Sequence, residues 1–353
     1  MKFTFIYQKG FMEYEIELKL LTSENAGEVI ETKLLPHLSA SITKQTLILT
    51  NHYFDTSDRT LRKHDIGLRI RGNNQQFEQT LKTSGKSIGG LHQRPEYNVQ
   101  LDPVNKQNVD VPDLRLFPLS AWPKTINIDE LQTKIEILFT THFERKVYLL
   151  EFSDGNIVEL VWDLGQVKCG NKSTPICEVE LELKKGSTSA LFDVAKRIVI
   201  LLPTTIGTDS KAALGYHLLD GLPVKKYEQN QQKITGNTQT SADEFVHFLT
   251  TQLQHFQMLS AAIRRQYTEE LASNIQNVLF ELVDSLANFT HHFPCSSLDR
   301  IHINLEKVCS DWSLILPQNN ENDACSLLTR APTTQVQLDI VQCLVEQPWS
   351  SKV

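Results

Sequence analysis

The residues 14–20, Tyr14-Glu15-Ile16-Glu17-Leu18-Lys19-Leu20, alternate apolar and charged side chains. As a strand with a period of two, they place Glu15, Glu17 and Lys19 on one face and Ile16, Leu18 and Leu20 on the other. The pattern recurs with complementary charge at Leu68-Arg69-Ile70-Arg71, at Glu78-Gln79-Thr80-Leu81-Lys82 and at Cys177-Glu178-Val179-Glu180-Leu181-Glu182, and Glu159 and Asp163 extend the acidic set. Carboxylates alone are ligands for a hard divalent cation, magnesium or manganese. Burying so many of them without cations would be costly, so Lys19, Arg69, Arg71, Lys82, Arg94, Arg145 and Lys211 are the expected compensation. Cations and carboxylates in one cavity suit a polyphosphate. Arginine forks hold phosphate oxygens in pairs, while metal ions bridge phosphates and water.

Such faces meet only if the strands close on themselves, with apolar faces outward under helices and charged faces inward, an α+β barrel. Strand-like runs at residues 46–54, 67–71, 77–82, 91–101, 142–152, 157–164, 166–169 and 176–184 are separated by turn chemistry at Gly72-Asn73-Asn74, Gly89-Gly90 and Ser153-Asp154-Gly155-Asn156. Pro95 cannot donate to a ladder, which predicts a bulge or an edge there. Thr22 or Ser23 is placed to cap a helix carrying Val29, Ile30, Leu34 and Leu35, residues 102–131 read as loop with short helical pieces, and 187–202 and 209–219 read as helices.

Residues 225–240 have linker composition. From Ser241 the period changes to 3.6: Ser241-Ala242-Asp243-Glu244 is a capping box followed by Phe245, Leu249, Leu253 and Phe256 on one face. Further helices are expected at 269–289, 298–316 and 335–346, with 317–332 a long loop. The expected division is therefore a barrel over 12–222, a linker over 223–240 and a helical domain over 241–353. Every motif with a chemical warrant precedes Leu222, so the helical domain is expected to serve interaction or support.

Of 353 residues, 40% are hydrophobic and 22% charged, ordinary for a soluble protein, and no apolar run reaches transmembrane length. A net charge of −7 disfavours a broad nucleic-acid footprint. The cluster Phe3-Thr4-Phe5-Ile6-Tyr7 is too short for a signal-peptide core, and Met12 stands just ahead of the charged strand, so residues 1–11 read as an upstream extension. The cysteines Cys169, Cys177, Cys295, Cys309, Cys325 and Cys343 form no Cys-x-x-Cys pair, and reduced thiols in a cytoplasmic protein are expected. His247, His255, His291, His292 and His302 lie on helices without a metal-ligand pattern, and His92 reads as structural.

Taken in order, Glu-x-Glu-x-Lys at 15–19, Leu68-Arg69-Ile70-Arg71, Thr80-Leu81-Lys82, the run from Gly90 to Val99 containing His92-Gln93-Arg94-Pro95-Glu96, the run from Pro175 to Leu183, and Ser210-Lys211-Ala212-Ala213 resemble the CYTH superfamily of triphosphate tunnel metalloenzymes, above all its bacterial inorganic triphosphatases. The resemblance implies an eight-stranded antiparallel barrel forming a tunnel, metal-dependent hydrolysis of inorganic triphosphate to pyrophosphate and phosphate, and magnesium or manganese as cofactor. Carried over by position, it makes Lys19, Arg69, Arg71, Lys82, Arg94, Arg145 and Lys211 triphosphate ligands. Glu15, Glu17, Glu178 and Glu180 become metal ligands, Glu15, Glu17, Lys19, Glu178 and Glu180 the catalytic set, and Asp163 a further metal ligand. Glu78, Glu96, Glu159 and Glu182 are second-rank candidates. One departure is visible: Leu214 stands where the family's Ser-Lys-x-x-Arg carries arginine. The resemblance leaves organic triphosphatase or adenylate cyclase chemistry as rivals within the family; a non-catalytic phosphate-binding scaffold would do better without the acidic strands. The helical part resembles the start of a CHAD domain, although it carries more acidic than basic residues, which disfavours binding of polyanions.

Overall fold

The computed structural model describes residues 11–73, 76–101, 111–221 and 241–349. The expected linker over 223–240 and nearly all of the upstream extension lie outside them.

Ten strands build one sheet: β1 (Phe11–Leu21), β2 (Ala40–Asp55), β3 (Gly67–Asn73), β4 (Gln76–Lys82), β5 (Lys86–Ile88), β6 (Leu91–Leu101), β7 (Glu136–Phe152), β8 (Ile157–Cys169), β9 (Lys172–Lys185) and β10 (Thr205–Ile206). Around the barrel the order is β1-β9-β8-β7-β2-β3-β4-β6, all antiparallel, and pairing of β6 back onto β1 closes the ring. The two short strands β5 and β10 add on at its rim. Closure leaves an inner and an outer face, and the alternation read from β1 decides which is which. Leu18 and Leu20 are fully buried in the outer apolar core, while Glu15, Glu17 and Lys19 point into the lumen.

Register does the rest, because residues opposite one another across a ladder share a face. It brings Glu15 opposite Arg94, Lys19 opposite Glu180, Arg71 opposite Glu78, Lys82 opposite Glu96 and Arg145 opposite Asp163. A slip of one residue would turn every one of these charges outward.

Several elements differ from expectation, each for a local reason. β2 is longer than its apolar run because residues 40–45 pair with 147–152, and β7 is longer because residues 136–141 pair with 51–55. The two runs at 157–164 and 166–169 are one strand: at Gly165 a Cβ would stand 2.2 Å from the His142 carbonyl oxygen, so glycine here marks close backbone approach within β8 and not a turn. At Pro95 the ladder to β1 runs unbroken, and the other side of the strand lies in the gap between the β4 ladder, which ends with Lys82 opposite Glu96, and the β5 ladder, which begins with Lys86 opposite Gln93. The edge reading is the correct one.

The helix after β1, α1 (Ala26–Val29), starts at Asn25 without a side-chain cap and continues as a π-helical turn over Ile30–Leu34. It covers the barrel as expected, with Ile30, Leu34 and Leu35 in the outer core. Short helices α2 (Thr60–Lys63) and α3 (Ile128–Lys134) and the longer α4 (Ser189–Leu201) and α5 (Lys211–Asp220) follow.

The C-terminal helices are α6 (Ala242–Ile263), α7 (Glu269–His292), α8 (Ser296–Ile315), α9 (Glu321–Thr329) and α10 (Ala331–Glu346). The capping box at Ser241 and Glu244 forms as read. The expected loop over 317–332 is corrected: Asn320 caps α9 by accepting from Asn322 and Asp323 N–H, and Pro332 sits in the first turn of α10, where its missing N–H costs nothing. One apolar core runs from Leu18, Leu20 and Val179 on the barrel wall through α4 into the leucine-rich seam of α6 to α10.

Candidate active site

The lumen is a cavity of about 220 Å³ lined by two kinds of wall. Glu15, Glu17, Glu180 and Glu182 come from β1 and β9; Arg69, Arg71 and Lys82 come from β3 and β4, with Arg94 and Arg145 from β6 and β7. Helix α5 enters from one end. Ser210 caps it by accepting from Ala213 N–H, and Lys211, its first residue, is buried with its ammonium in the lumen.

The charges fall into two clusters. In the deeper one, Lys211 Nζ lies 2.7 Å from Asp163 Oδ2, 2.9 Å from Glu180 Oε1 and in contact with Glu178 Oε1. Lys19 Nζ lies 3.0 Å from Glu178 and 2.9 Å from Glu180. Arg145 donates from Nε and Nη2 to the two oxygens of Asp163 at 2.8 and 2.6 Å, and from Nη2 to Glu180 at 2.8 Å. Burial works against ionising Glu180, but Lys19, Lys211 and Arg145 outweigh it and hold its carboxyl well below the usual range. In the second cluster, Lys82 bridges Glu15 at 2.6 Å and Glu96 at 2.8 Å, and Arg94 Nε donates to Glu15 at 3.1 Å. There too burial is overcome, by Lys82 and Arg94, and Glu15 stays ionised.

Two groups between these clusters are poorly matched. Glu17 has its nearest cation, Lys19, at 4.0 Å. Burial and the negative charges of Glu180 and Glu15 push its pKa up to about 8. Arg71 donates from Nε to Asn51 Oδ1 at 3.0 Å and forms no ion pair with a described carboxylate; burial and the neighbouring Arg69 and Arg145 push its pKa down to about 10. One site is short of positive charge and the other short of negative charge. His92, opposite Glu17 on β6, is pushed down to about 4 by burial, Arg94 and Lys19, and is neutral at pH 7.

All the cations expected from sequence line this one cavity, as do Glu15, Glu17 and Glu180 and the second-rank Glu78, Glu96, Glu159 and Glu182. Asp163 and Glu178 are placed differently. They are buried behind Lys211 and Lys19 and do not line the open space. Asp163, Glu178 and Glu180 nevertheless form the metal-sized group among the described residues, with one oxygen of each within 4.8 Å of the others. Glu15 is outside that group. Leu214 packs with the apolar cluster around Phe139 and Tyr216.

Sequence reasoning missed Lys184, which pairs with Glu182 at 2.7 Å and Glu159 at 3.7 Å, and the lining residues Glu13, Tyr53 and Asn98. Lys184 has the same parity on β9 as Glu178, Glu180 and Glu182, so the alternation already pointed it inward. A second cavity, lined by Gln45, Leu47, Leu49, Phe77, Gln100 and Val147, shares Arg71, Glu78, Arg145 and Glu159 with the first.

This architecture, a closed barrel with ion pairs in its lumen, is matched at the level of sequence. The family model of the CYTH domain matches residues 13–216, and the chain belongs to this family. The inorganic triphosphatase of Haemophilus influenzae is 37% identical over 214 residues, which are 60% of this chain and 56% of that protein. The chain thus spans little more than half the length of that curated relative. Among solved structures, a Hippeastrum adenylyl cyclase homologue described as having a dominant triphosphatase activity is 23% identical, over 57% of this chain and 95% of that one, with a TM-score of 0.40. A protein of Pyrococcus horikoshii OT3 is 18% identical over 57% and 97%, with a TM-score of 0.36.

Proposed function

We propose that the chain hydrolyses inorganic triphosphate to pyrophosphate and phosphate inside the barrel. The observation that carries this reading is the pairing, in one buried cavity, of an arginine with no ion pair among the described residues, Arg71, and a carboxyl without a close cation, Glu17. A triphosphate anion would satisfy the first and a divalent cation the second. Family membership and the Haemophilus relative's name support the same choice.

In this reading Arg69, Arg71, Lys82, Arg94, Lys19 and Lys211 hold the phosphate oxygens along the chain, and Arg145 stabilises charge on the transferring and leaving groups. Asp163 and Glu178 keep the two lysines and Arg145 in place from behind. A donor set made only of carboxylate oxygens fits a hard cation, magnesium or manganese, held by Glu15, Glu17 and Glu180 with Glu178 and Asp163 next to them. Such an ion supplies neutralisation of the phosphates and acidification of the attacking water. Water oxygen then attacks a terminal phosphorus and one anhydride bond breaks, leaving pyrophosphate. The CYTH domain is the proposed catalytic unit over 12–222, and the helical part from 241 is non-catalytic. Among the described residues no helix is long and apolar enough to cross a membrane, and all six cysteines are free thiols, which supports a cytoplasmic setting.

The second cavity favours one further reading. Its apolar residues Leu47, Leu49, Phe77 and Val147 adjoin the phosphate-binding arginines, so an organic group attached to the triphosphate has a surface to rest on. Phosphate and pyrophosphate release from triphosphate, ATP and thiamine triphosphate, each with magnesium, manganese or EDTA, decides between them. Turnover led by triphosphate and abolished by EDTA is expected; cyclic nucleotide as the only product would overturn the reading.

A further inference from the structure

The C-terminal helices contribute no side chain to the lumen, yet they grip the segment that feeds it. Between α4 and α5 the chain runs from Thr204 through β10 to Ser210 and Lys211. The Thr204 N–H donates to the Thr329 carbonyl at 3.1 Å, at the end of α9. Its own carbonyl accepts from Thr334 Oγ1 of α10 at 2.5 Å, and Thr205 Oγ1 accepts from Arg264 Nη1, just past α6, at 2.5 Å. Thr204, Thr205 and Thr334 are buried. Three helices therefore supply hydrogen-bond partners for one buried pair of residues that has no water to replace them.

The other end of this strap lies on the lysines. β10 pairs with Leu20 and Leu21, and the Gly207 N–H donates to the Lys19 carbonyl at 2.9 Å. A Cβ at Gly207 would stand 2.7 Å from Lys19 Cγ, so the strap rests directly on the lysine stem. Three residues later Ser210 begins the helix that carries Lys211 into the cavity. Both lysines share Glu178 and Glu180.

We propose that the helical region sets the position of Lys19 and Lys211 through the strap Thr204–Gly207, with Thr334 and Arg264 as positioning residues for anion binding in the lumen. The proposal rests on the lumen being a triphosphate site. Displacements near 1 Å at a binding group are enough to cost about tenfold or more.

The test uses the full chain with Thr334→Val and Arg264→Met, and Ser313→Ala as control. Ser313 accepts from Gln276 at 2.9 Å between α7 and α8, away from the strap. Both strap variants are expected to raise KM for triphosphate about three- to tenfold with kcat within about twofold, since lost folded protein would lower kcat alone. Thr334→Ser should restore KM, and Ser313→Ala should lower the melting temperature without moving it. A second readout does not depend on substrate: hydrogen exchange at the Gly207 amide should quicken at least about tenfold in Thr334→Val and stay unchanged in Ser313→Ala. Unchanged Gly207 exchange in both strap variants, or unchanged KM in both, overturns the proposal. Faster exchange in a protein whose wild type does not hydrolyse triphosphate upholds the strap and overturns the substrate reading instead.

Discussion

The lumen of the barrel and the seam of the C-terminal helices are both buried, and they are built on opposite principles. In the seam, Leu249, Leu279, Leu282 and Leu305 pack without charge, and its buried polar groups, such as Gln276 and Ser285, are neutral except for Asp339 of α10, which is paired by Lys196 of α4. In the lumen, Glu15, Glu17, Lys19, Asp163, Glu178, Glu180 and Lys211 are all buried. Removing seven ionisable side chains from water costs several kcal/mol each before pairing repays it, and pairing there is incomplete at Glu17 and Arg71. Apolar packing is what a region does for stability. A region that keeps an unpaired guanidinium, and a carboxyl protonated for want of a cation, out of water is suited to a ligand that arrives later.

The comparison breaks first, and with the largest effect, at Arg71. Arg71→Ala is expected to slow triphosphate hydrolysis about 10²- to 10³-fold. The same change should leave the melting temperature without ligand unchanged or higher, because the guanidinium is repelled by Arg69 and Arg145. Paired activity and thermal-unfolding assays check this, and a drop in both would place Arg71 among structural residues.

Next comes the paired part of the lumen. Lys211→Met removes the partner of three buried carboxylates and should destabilise the fold by about 3–5 kcal/mol, read from urea unfolding. In the seam, Leu279→Ala should cost a similar ~2–5 kcal/mol by leaving a cavity, but hydrolysis per folded molecule should stay at the wild-type rate. Equal losses of turnover in the two variants would erase the distinction between the regions.

A smaller and pH-dependent effect is expected at Glu17. Its folded pKa of about 8 lies above its ordinary value of 4.5, so the folded protein holds a proton that the unfolded chain has lost. Stability from this group is full below pH 4.5 and is lost as pH rises through 8. Glu17→Gln should therefore raise the melting temperature in EDTA at pH 8.5 and leave it unchanged near pH 4, while abolishing turnover. A gain that is independent of pH would contradict the burial argument.

Smallest is Ser241→Ala, which removes one half of the capping box of α6 and should cost about 1 kcal/mol with no effect on KM.

Much of this was legible in the sequence because the strand period is short and strict. Alternation over 14–20, 68–71 and 177–182 assigns each charged residue to the lumen once closure is assumed. Closure itself follows from faces too charged to bury against an apolar layer. Which charges meet was not legible, since that depends on register between strands more than a hundred residues apart. Asp163 and Glu178 read as metal ligands beside Glu17, and with Glu180 they do form a metal-sized group; that they also pair with Lys211 and Lys19 behind the open space was not legible. The helix at Glu321 escaped because its polar start, Glu321-Asn322-Asp323, and the flanking Pro317 and Pro332 read as loop, whereas Ile30–Leu34 was read as helix and only its π-helical winding was not legible. The strap at Thr204 carries no motif at all; its role comes from contacts with Arg264, Thr329 and Thr334, far along the chain.

The central claim is that the unmatched charges of the lumen exist to hold triphosphate with a divalent cation. It is tested most directly by measuring products from triphosphate and magnesium for wild type, Glu17→Gln, Arg71→Ala and Leu279→Ala side by side, normalised to folded protein. One phosphate and one pyrophosphate per triphosphate from wild type and Leu279→Ala, with almost none from the two lumen variants, is the predicted result. Turnover in Glu17→Gln and Arg71→Ala equal to that of wild type would contradict it.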